Sequence, residues 1–369
     1  MKSFNYVAIT ASCISLVGCG GGGGSSTVPQ TTIQYDYTLG TASTLSAARS
    51  ALTGSASMSL PYDAPDGTAH TSLSAAHSTL NGGADPIATV DTGAANAWAD
   101  GWTGKDIKIG MLDDFNSNGR VDTHGDYTSL VAGSVAPEAT LTLANISDSY
   151  GSPSITIADS AISTLEASGH RIFNNSWGIS RSGSFSTAFD SAAASLISSY
   201  SPSSTGWQGL YNGTEGLFIW AAGNNATTCG TSSRVEDCNL FAAYVNGVRD
   251  AGNSAVGDKH IWVGSLADGT DTIASYSLRA GDLKYDFIVA HDDVLTSGDT
   301  GGTSFAAPRV TGAAALVKQK FPNLTSAQIK QVLLQTATDL GAPGVDEIYG
   351  YGKLNIAGTM SPLGTVTPR

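Results

Sequence analysis

Positive charge is scarce in this chain. Lys and Arg number 18 against 31 Asp and Glu, a formal net charge of −13 over 369 residues. A surface that tracks phosphates needs clustered Lys and Arg, so nucleic acid is excluded as a partner. Charge of either sign is sparse, at 13% of residues, while Ser, Thr, Gly, Ala and Asn dominate, a composition that suits an exported protein with a polar, uncharged surface. Cysteine is also rare, only Cys13, Cys19, Cys229 and Cys238 being present, too few in the body of the chain for a four-ligand structural zinc site. The apolar stretch near the N-terminus, Tyr6 to Val17, falls short of the roughly 20 residues that a permanent membrane-spanning helix needs. What remains is an ordinary 41% hydrophobic share and enough length for one large domain with extensions.

The first residues, "MKSFNYVAITASCISLVGC", combine a basic Lys2 with that short apolar stretch, the pattern of an export signal. Leu16-Val17-Gly18-Cys19 resembles a bacterial lipoprotein box, which implies a signal peptide over residues 1–18 and acylation of Cys19. The following "GGGGGSS" cannot pack a core and reads as a flexible tether. These features predict an exported bacterial lipoprotein, held at the outer membrane or cell surface through its N-terminal lipid anchor. Cys13 leaves with the signal and Cys19 carries lipid, so Cys229 and Cys238 are expected to pair as a disulfide in an oxidising compartment.

Residues 19–85 comprise this tether and a flexible, low-complexity extension rich in Ser, Ala and Thr, with turn signals at "LPYDAPDG" and "NGGADP". Linker, partly helical wrap and prosegment all fit it. Over residues 86–369 the pattern changes to alternating strand and helix signals. Apolar strands are read at "KDIKIGMLD", "ATLTLANI", "HRIFNNS", "GLFIWAA", "KHIWVGS" and "YDFIVA". The clearest helix is "SITIADSAISTLEASG", where Ile155, Ala158, Ile162 and Leu165 share one face after a Ser cap. Such alternation predicts an α/β fold: a mostly parallel central sheet with helices on both faces. Ligands then belong at the carboxyl ends of the strands. Trp98 and Trp102 are expected to pack beneath the first strand.

The run "LDDFNSNGRVDTHGDYTSLVAG", residues 112–133, fits two chemistries. From Asp114, alternating Asp and Asn before a Gly begins like an EF-hand calcium loop, but its twelfth position holds Gly125 where a bidentate Glu is needed. From Asp113, an apolar strand ends in an acid, and a His-Gly pair follows. Downstream, Gly302-Thr303-Ser304 opens a small-residue helix with Pro308 near its start. A Ser there lies where free N–H groups and the helix dipole stabilise negative charge on an attacked carbonyl. Its hydroxyl needs a base, and the base an orienting acid. Asp113, His124 and Ser304 supply the three in the order Asp, His, Ser. His70, His77, His170, His260 and His291 are isolated and read as structural.

The segments "TGKDIKIGMLD", "HG….LVAG", "NNSWG", "AAGN", "GGTSFAAP" and "LTSAQIKQVLLQTATDLGAPGVDEIYGYGKLN" together resemble, in content and order, the subtilase (subtilisin-like) family of serine peptidases, closest in flavour to the domain of autotransporter and lipoprotein proteases. The resemblance implies Asp113 as orienting acid, His124 as general base, Ser304 as nucleophile and Asn224 as oxyanion-hole donor. It further implies that Ser176, Trp177, Gly178 and Gly223 line a cleft for an extended peptide, with "NNSWG" as an edge strand and Trp177 as an apolar wall. The implied activity is serine-type endopeptidase, hydrolysing protein or peptide substrates through an acyl-enzyme as a monomer. No cofactor is required for catalysis and no catalytic metal is implied, although related secreted enzymes often hold structural calcium. Two departures stand out. Extra residues precede V-A-G after the histidine, with no second His, and Asp114-Phe115 replaces the usual Ser or Thr and Gly after the acid. Asp113 and Asp114 therefore both remain open as the triad acid, and a noncatalytic binding lipoprotein on the same fold remains the alternative function.

Overall fold

Successive side chains of a strand point to opposite faces of its sheet, and here that alternation sorts the apolar residues into two cores. The computed structural model of the chain describes residues 30–34, 62–63, 69–70, 92–115, 124–148, 152–181, 190–195, 215–229, 232–267, 269–292 and 301–361. Residues 1–18, expected to be a signal peptide, and Cys19, His77 and the Asn-Gly run after Phe115 lie outside the described residues.

Among the described residues, the main sheet has seven strands. Strand β1 (Gln30–Gln34) lies at one edge, and β2 (Tyr62–Asp63) and β3 (Ala69–His70) form a separate hairpin. Then come β4 (Lys108–Asp113), β5 (Thr140–Asn145), β6 (Ile172–Asn175), β7 (Leu217–Ala221), β8 (His260–Leu266) and β9 (Phe287–His291). Their spatial order is β1-β5-β4-β6-β7-β8-β9, with β4 to β9 all parallel. The expected parallel α/β sheet is therefore present. The extension is not wholly separate from it, because β1 pairs antiparallel with β5, Gln30 opposite Ala144.

Chain order reverses at β4, which has β5 on one side and β6 on the other. The crevice at the carboxyl ends of β4 and β6 is the switch point where such sheets bind ligands.

On one face, Ile109, Met111, Leu141, Ile172, Ile219, Val263 and Ile288 pack under helices α1 (Thr92–Ala99), α2 (His124–Val135), α6 (Thr303–Lys320) and α7 (Ser326–Gln335). Trp98 is fully buried there and donates its indole N–H to Val135 O at 2.9 Å. Helix α6 packs directly on α2, a close approach that needs Gly312: a Cβ there would lie 2.5 Å from Val135 Cβ. The extra residues before V-A-G are absorbed as nearly one added turn of about 3.6 residues. Val131 and Ala132 therefore stay buried on the core side of a continuous helix.

On the opposite face, Phe173, Phe218, Trp220, Trp262 and Phe287 pack with α3 (Ile155–Ala167), the short α4 (Val235–Cys238) and α5 (Leu240–Asp250). Helix α3 is capped as expected, Ser154 Oγ accepting the Ile157 N–H, and it buries Ala158, Ile162 and Leu165. His260 is completely buried in this layer between Trp220 and Trp262, and its Nδ1 accepts the Trp220 indole N–H at 3.0 Å. That bond requires an unprotonated Nδ1. Burial, with Lys330 and Lys259 nearby, holds the imidazole's pKa well below its ordinary value. Helix α8 (Ile356–Thr359) closes the described chain. Among the described residues, no helix is long and apolar enough to cross a membrane.

Candidate active site

Asp113 is the last residue of β4 and His124 the first of α2, so the strand end and the helix start meet at the switch point. Asp113 Oδ1 lies 2.8 Å from His124 Nδ1. The same oxygen accepts the Asp114 N–H at 2.9 Å, and Oδ2 accepts the Thr128 hydroxyl at 3.1 Å. Asp113, 3% exposed, is thus surrounded by donors. Asp114 contacts the helix backbone instead, its Oδ1 accepting the Gly125 N–H at 2.9 Å. Gly125 is necessary at this approach, since a Cβ would lie 2.5 Å from the Asp114 carbonyl oxygen. Between the two acids that the sequence leaves open, Asp113 is the one bonded to the imidazole.

Ser304 sits in the first turn of α6, the helix that crosses the sheet above β6, β7 and β8. The ring of its neighbour Phe305 lies 5.5 Å from the His124 ring, which brings the imidazole to this end of the helix. Pro308 has no N–H, so the carbonyl of Ser304 loses its normal helical donor. The Ser176 hydroxyl donates to that carbonyl instead, at 2.7 Å, and the Ser304 hydroxyl donates back to Ser176 O at 3.1 Å. Ser176 Oγ in turn accepts from Asn174 Nδ2 at 2.9 Å, and Asn174 Oδ1 lies 3.0 Å from Thr311 Oγ1. A buried polar chain thereby ties the end of β6 to two turns of α6.

Asn224 follows β7. Its Oδ1 accepts both the backbone N–H of Thr303, at 2.9 Å, and the Thr303 hydroxyl, at 2.8 Å. Thr303 Oγ1 also accepts the Gly223 N–H at 3.0 Å. With the amide oxygen engaged, the NH₂ end of Asn224 becomes the end turned toward Gly302, whose Cβ position lies 3.2 Å from Nδ2.

A model of the subtilase family matches residues 109–352, a span that contains all of these groups. The chain belongs to the subtilase family. It is 31% identical over 162 residues to Subtilisin BL of Lederbergia lenta, covering 43% of this chain and 52% of that one. It is 49% identical over 59 residues to an extracellular serine protease of Serratia marcescens, 16% of this chain and 6% of that one. Over 60 residues it is 48% identical to the Neisserial autotransporter lipoprotein NalP of Neisseria meningitidis, again 16% of this chain and 6% of that one. The chain thus spans between 6% and about half of the length of these relatives. Among solved structures, the prenylagaramide maturation protease PagA has the same fold, with a TM-score of 0.51 at 20% identity, covering 73% of this chain and 97% of that one. MycP1 from Mycobacterium smegmatis has a TM-score of 0.51 at 20% identity, over 74% of this chain and 84% of that one.

In this subtilase the segment after β6 departs from expectation in two ways. First, β6 lies inside the sheet between β4 and β7, so it is no edge strand, and only the residues beyond Asn175 leave the sheet. Second, the Trp177 indole is no exposed wall. It is 4% exposed and packs edge-on against Phe241 at 5.1 Å and beside Trp220 at 5.7 Å, with its N–H on Asn175 Oδ1. The aromatic layer behind the sheet takes up the indole instead. Gly178 faces Asn239, whose Nδ2 donates to Ala222 O at 3.1 Å, and Asn225 Nδ2 donates to Arg181 O at 2.9 Å. These asparagines join the 176–181 segment to the loop bearing Asn224. The Cys229–Cys238 disulfide closes the same loop onto α4.

Two further contributors carry no sequence signal. Asp292, fully buried after β9, accepts the Gly302 N–H at 2.5 Å and the Tyr276 hydroxyl, bracing the turn before Ser304. Thr128 holds the second oxygen of Asp113. Among the described residues, only Asp113, Asp114 and His124 bring three groups of metal-ligating type within 4.8 Å of one another. Asp113 and His124 Nδ1 bond to each other, Asp113 Oδ2 accepts the Thr128 hydroxyl and Asp114 Oδ1 accepts the Gly125 N–H, so hydrogen bonds already engage several of these atoms.

Proposed function

We propose that this subtilase is a serine endopeptidase that hydrolyses peptide bonds through an acyl-enzyme. The single observation that carries the proposal is the Asp113–His124 bond at 2.8 Å, set at the end of the helix that bears Ser304. In the proposed mechanism Ser304 Oγ turns from the Ser176 carbonyl toward His124 as substrate enters, and His124 Nε2 removes its proton. Asp113 keeps the imidazole in the tautomer with hydrogen on Nδ1 and stabilises the imidazolium. The oxyanion is held by Asn224 Nδ2 and the Ser304 N–H at the positive end of α6. His124 then protonates the leaving amine, and water repeats the sequence to release the acid. An extended substrate aligns its backbone along Ser176, Trp177 and Gly178, with Gly223 on the facing loop.

We read the enzyme as a monomer acting on protein or peptide substrates. No cofactor enters the chemistry, and a loss of activity on chelation would report structural calcium rather than a catalytic metal. The N-terminal pattern supports residues 1–18 as a signal, Cys19 as the lipidated residue, residues 19–85 as tether and extension, and residues 86–369 as the peptidase domain. We place the mature enzyme at the outer membrane or cell surface on that basis.

The test is labelling by a fluorophosphonate, together with cleavage-site profiling of wild type against Ser304→Ala. Labelling and cleavage that both vanish in the variant are the expected result. Folded wild type that neither labels nor cleaves would favour the noncatalytic alternative.

A further inference from the structure

Asp114 stands directly beside the proposed triad, and nothing in the mechanism uses it. Strand alternation should send consecutive side chains to opposite faces, but β4 ends at Asp113, and the chain turns so that both carboxyls approach His124. Their hydrogen-bond supply is unequal. Asp113 takes the His124 Nδ1–H, the Asp114 N–H and the Thr128 hydroxyl. The Asp114 carboxyl takes the Gly125 N–H and is half-buried. Among the described residues, the charged groups acting on it are Asp113 at the end of β4 and His124 at the start of α2.

Resting on the peptidase reading above, we infer that Asp114 holds a proton beside the Asp113–His124 pair and, by releasing it, sets the pH at which His124 becomes a base. Two carboxylates this close resist ionising together, and the one with fewer donors keeps the proton. Burial and the neighbouring Asp113 charge accordingly push the Asp114 carboxyl from 3.8 up to about 7. When that proton leaves, a second negative charge appears next to the imidazole and favours its protonated form. The two groups therefore titrate as a coupled pair, which displaces the acid limb of kcat/KM upward. Asp114 also tethers the His124-Gly125 peptide to the strand end. It is a positioning residue, acting through His124 rather than on substrate.

The decisive measurement is kcat/KM against pH for wild type, Asp114→Asn and Asp114→Ala, using a chromogenic peptide. The Asn variant keeps an acceptor for the Gly125 N–H but cannot ionise; the Ala variant loses both. Both should move the midpoint of the acid limb down by about one pH unit. The Ala variant alone should also lose height at the plateau. In parallel, NMR titration of the His124 imidazole in the Ser304→Ala background, with and without Asp114→Asn, reads the same coupling without turnover. The imidazole midpoint should fall by a similar amount. An active wild type whose midpoints coincide with those of Asp114→Asn in both measurements overturns the inference. A wild type that neither labels nor cleaves overturns the peptidase reading instead, while the NMR titration still decides the pairing.

Discussion

The two halves of the candidate site are built by opposite means. Asp113 and His124 are near neighbours in sequence, joined through ionisable side chains where one strand ends and the next helix begins. The nucleophile half is drawn from Ser176, Asn224, Asp292 and Thr303, and its contacts to the α6 turn are mostly amides, hydroxyls and backbone groups. The first half responds to protons. The second responds to shape, because most of its hydrogen bonds join uncharged amides, hydroxyls and backbone groups. Substitutions should therefore separate the halves by what they change: pH profile in one, rate at every pH in the other.

The largest effect is expected at the charged half. Asp113→Asn should lower kcat by about 10⁴-fold, the scale known for such a change in a Ser-His-Asp triad, with KM nearly unchanged in steady-state kinetics. Asn224→Leu breaks the other half. It should lower kcat by about 10²–10³-fold, the range for one oxyanion donor, and by the same factor at each pH tested. If the Asn224→Leu loss varied steeply with pH, the contrast between the halves would fail.

Thr303→Val preserves shape but deletes the hydroxyl that holds Asn224 Oδ1 and receives the Gly223 N–H. A drop of about tenfold in kcat, without movement of the pH limb, is expected for the loss of a net hydrogen bond of about 1 kcal/mol with a partner left unsatisfied. The smallest effect concerns stability. A carboxyl whose pKa is raised in the fold contributes stability that is complete below 3.8 and disappears as pH rises through about 7. Thermal melts of Asp114→Asn should thus gain on wild type as pH climbs across that window. His260 has the reverse sign. Its depressed pKa lends stability above 6.5 that is lost as pH falls, so acid melts should weaken from that value downward.

Much of this arrangement is legible in the sequence because short-range physics determines it. All six parallel strands fall where β-branched and aromatic runs predict them, and α3 begins at its Ser cap. The order of Asp113, His124, Asn224 and Ser304 is likewise visible, since each borders an element that the pattern identifies. What stays hidden depends on long-range pairing or on a boundary known only to within a residue. Asp113 and Asp114 differ only in which is the last on its strand. Trp177 follows the strand end, where alternation no longer tells which way a side chain points, and the aromatic layer behind the sheet captures it. Asp292 and Tyr276 have no mutual spacing that marks them as partners of Gly302. In Gln30–Gln34, polar residues on both sides of a lone Ile33 give no alternation, so pairing with β5 is not foreseeable.

The buried stack of His260 with Trp220 and Trp262 gives the protein an optical gauge of its own. Trp220 gives its N–H to the imidazole and lies beside Trp177, which follows the serine that grips the α6 turn. Protonating that imidazole breaks the indole contact and sets a quenching cation against it. Emission from the native tryptophans should therefore dim as acid loosens the back of the sheet, making the state of this layer readable in solution without any attached dye.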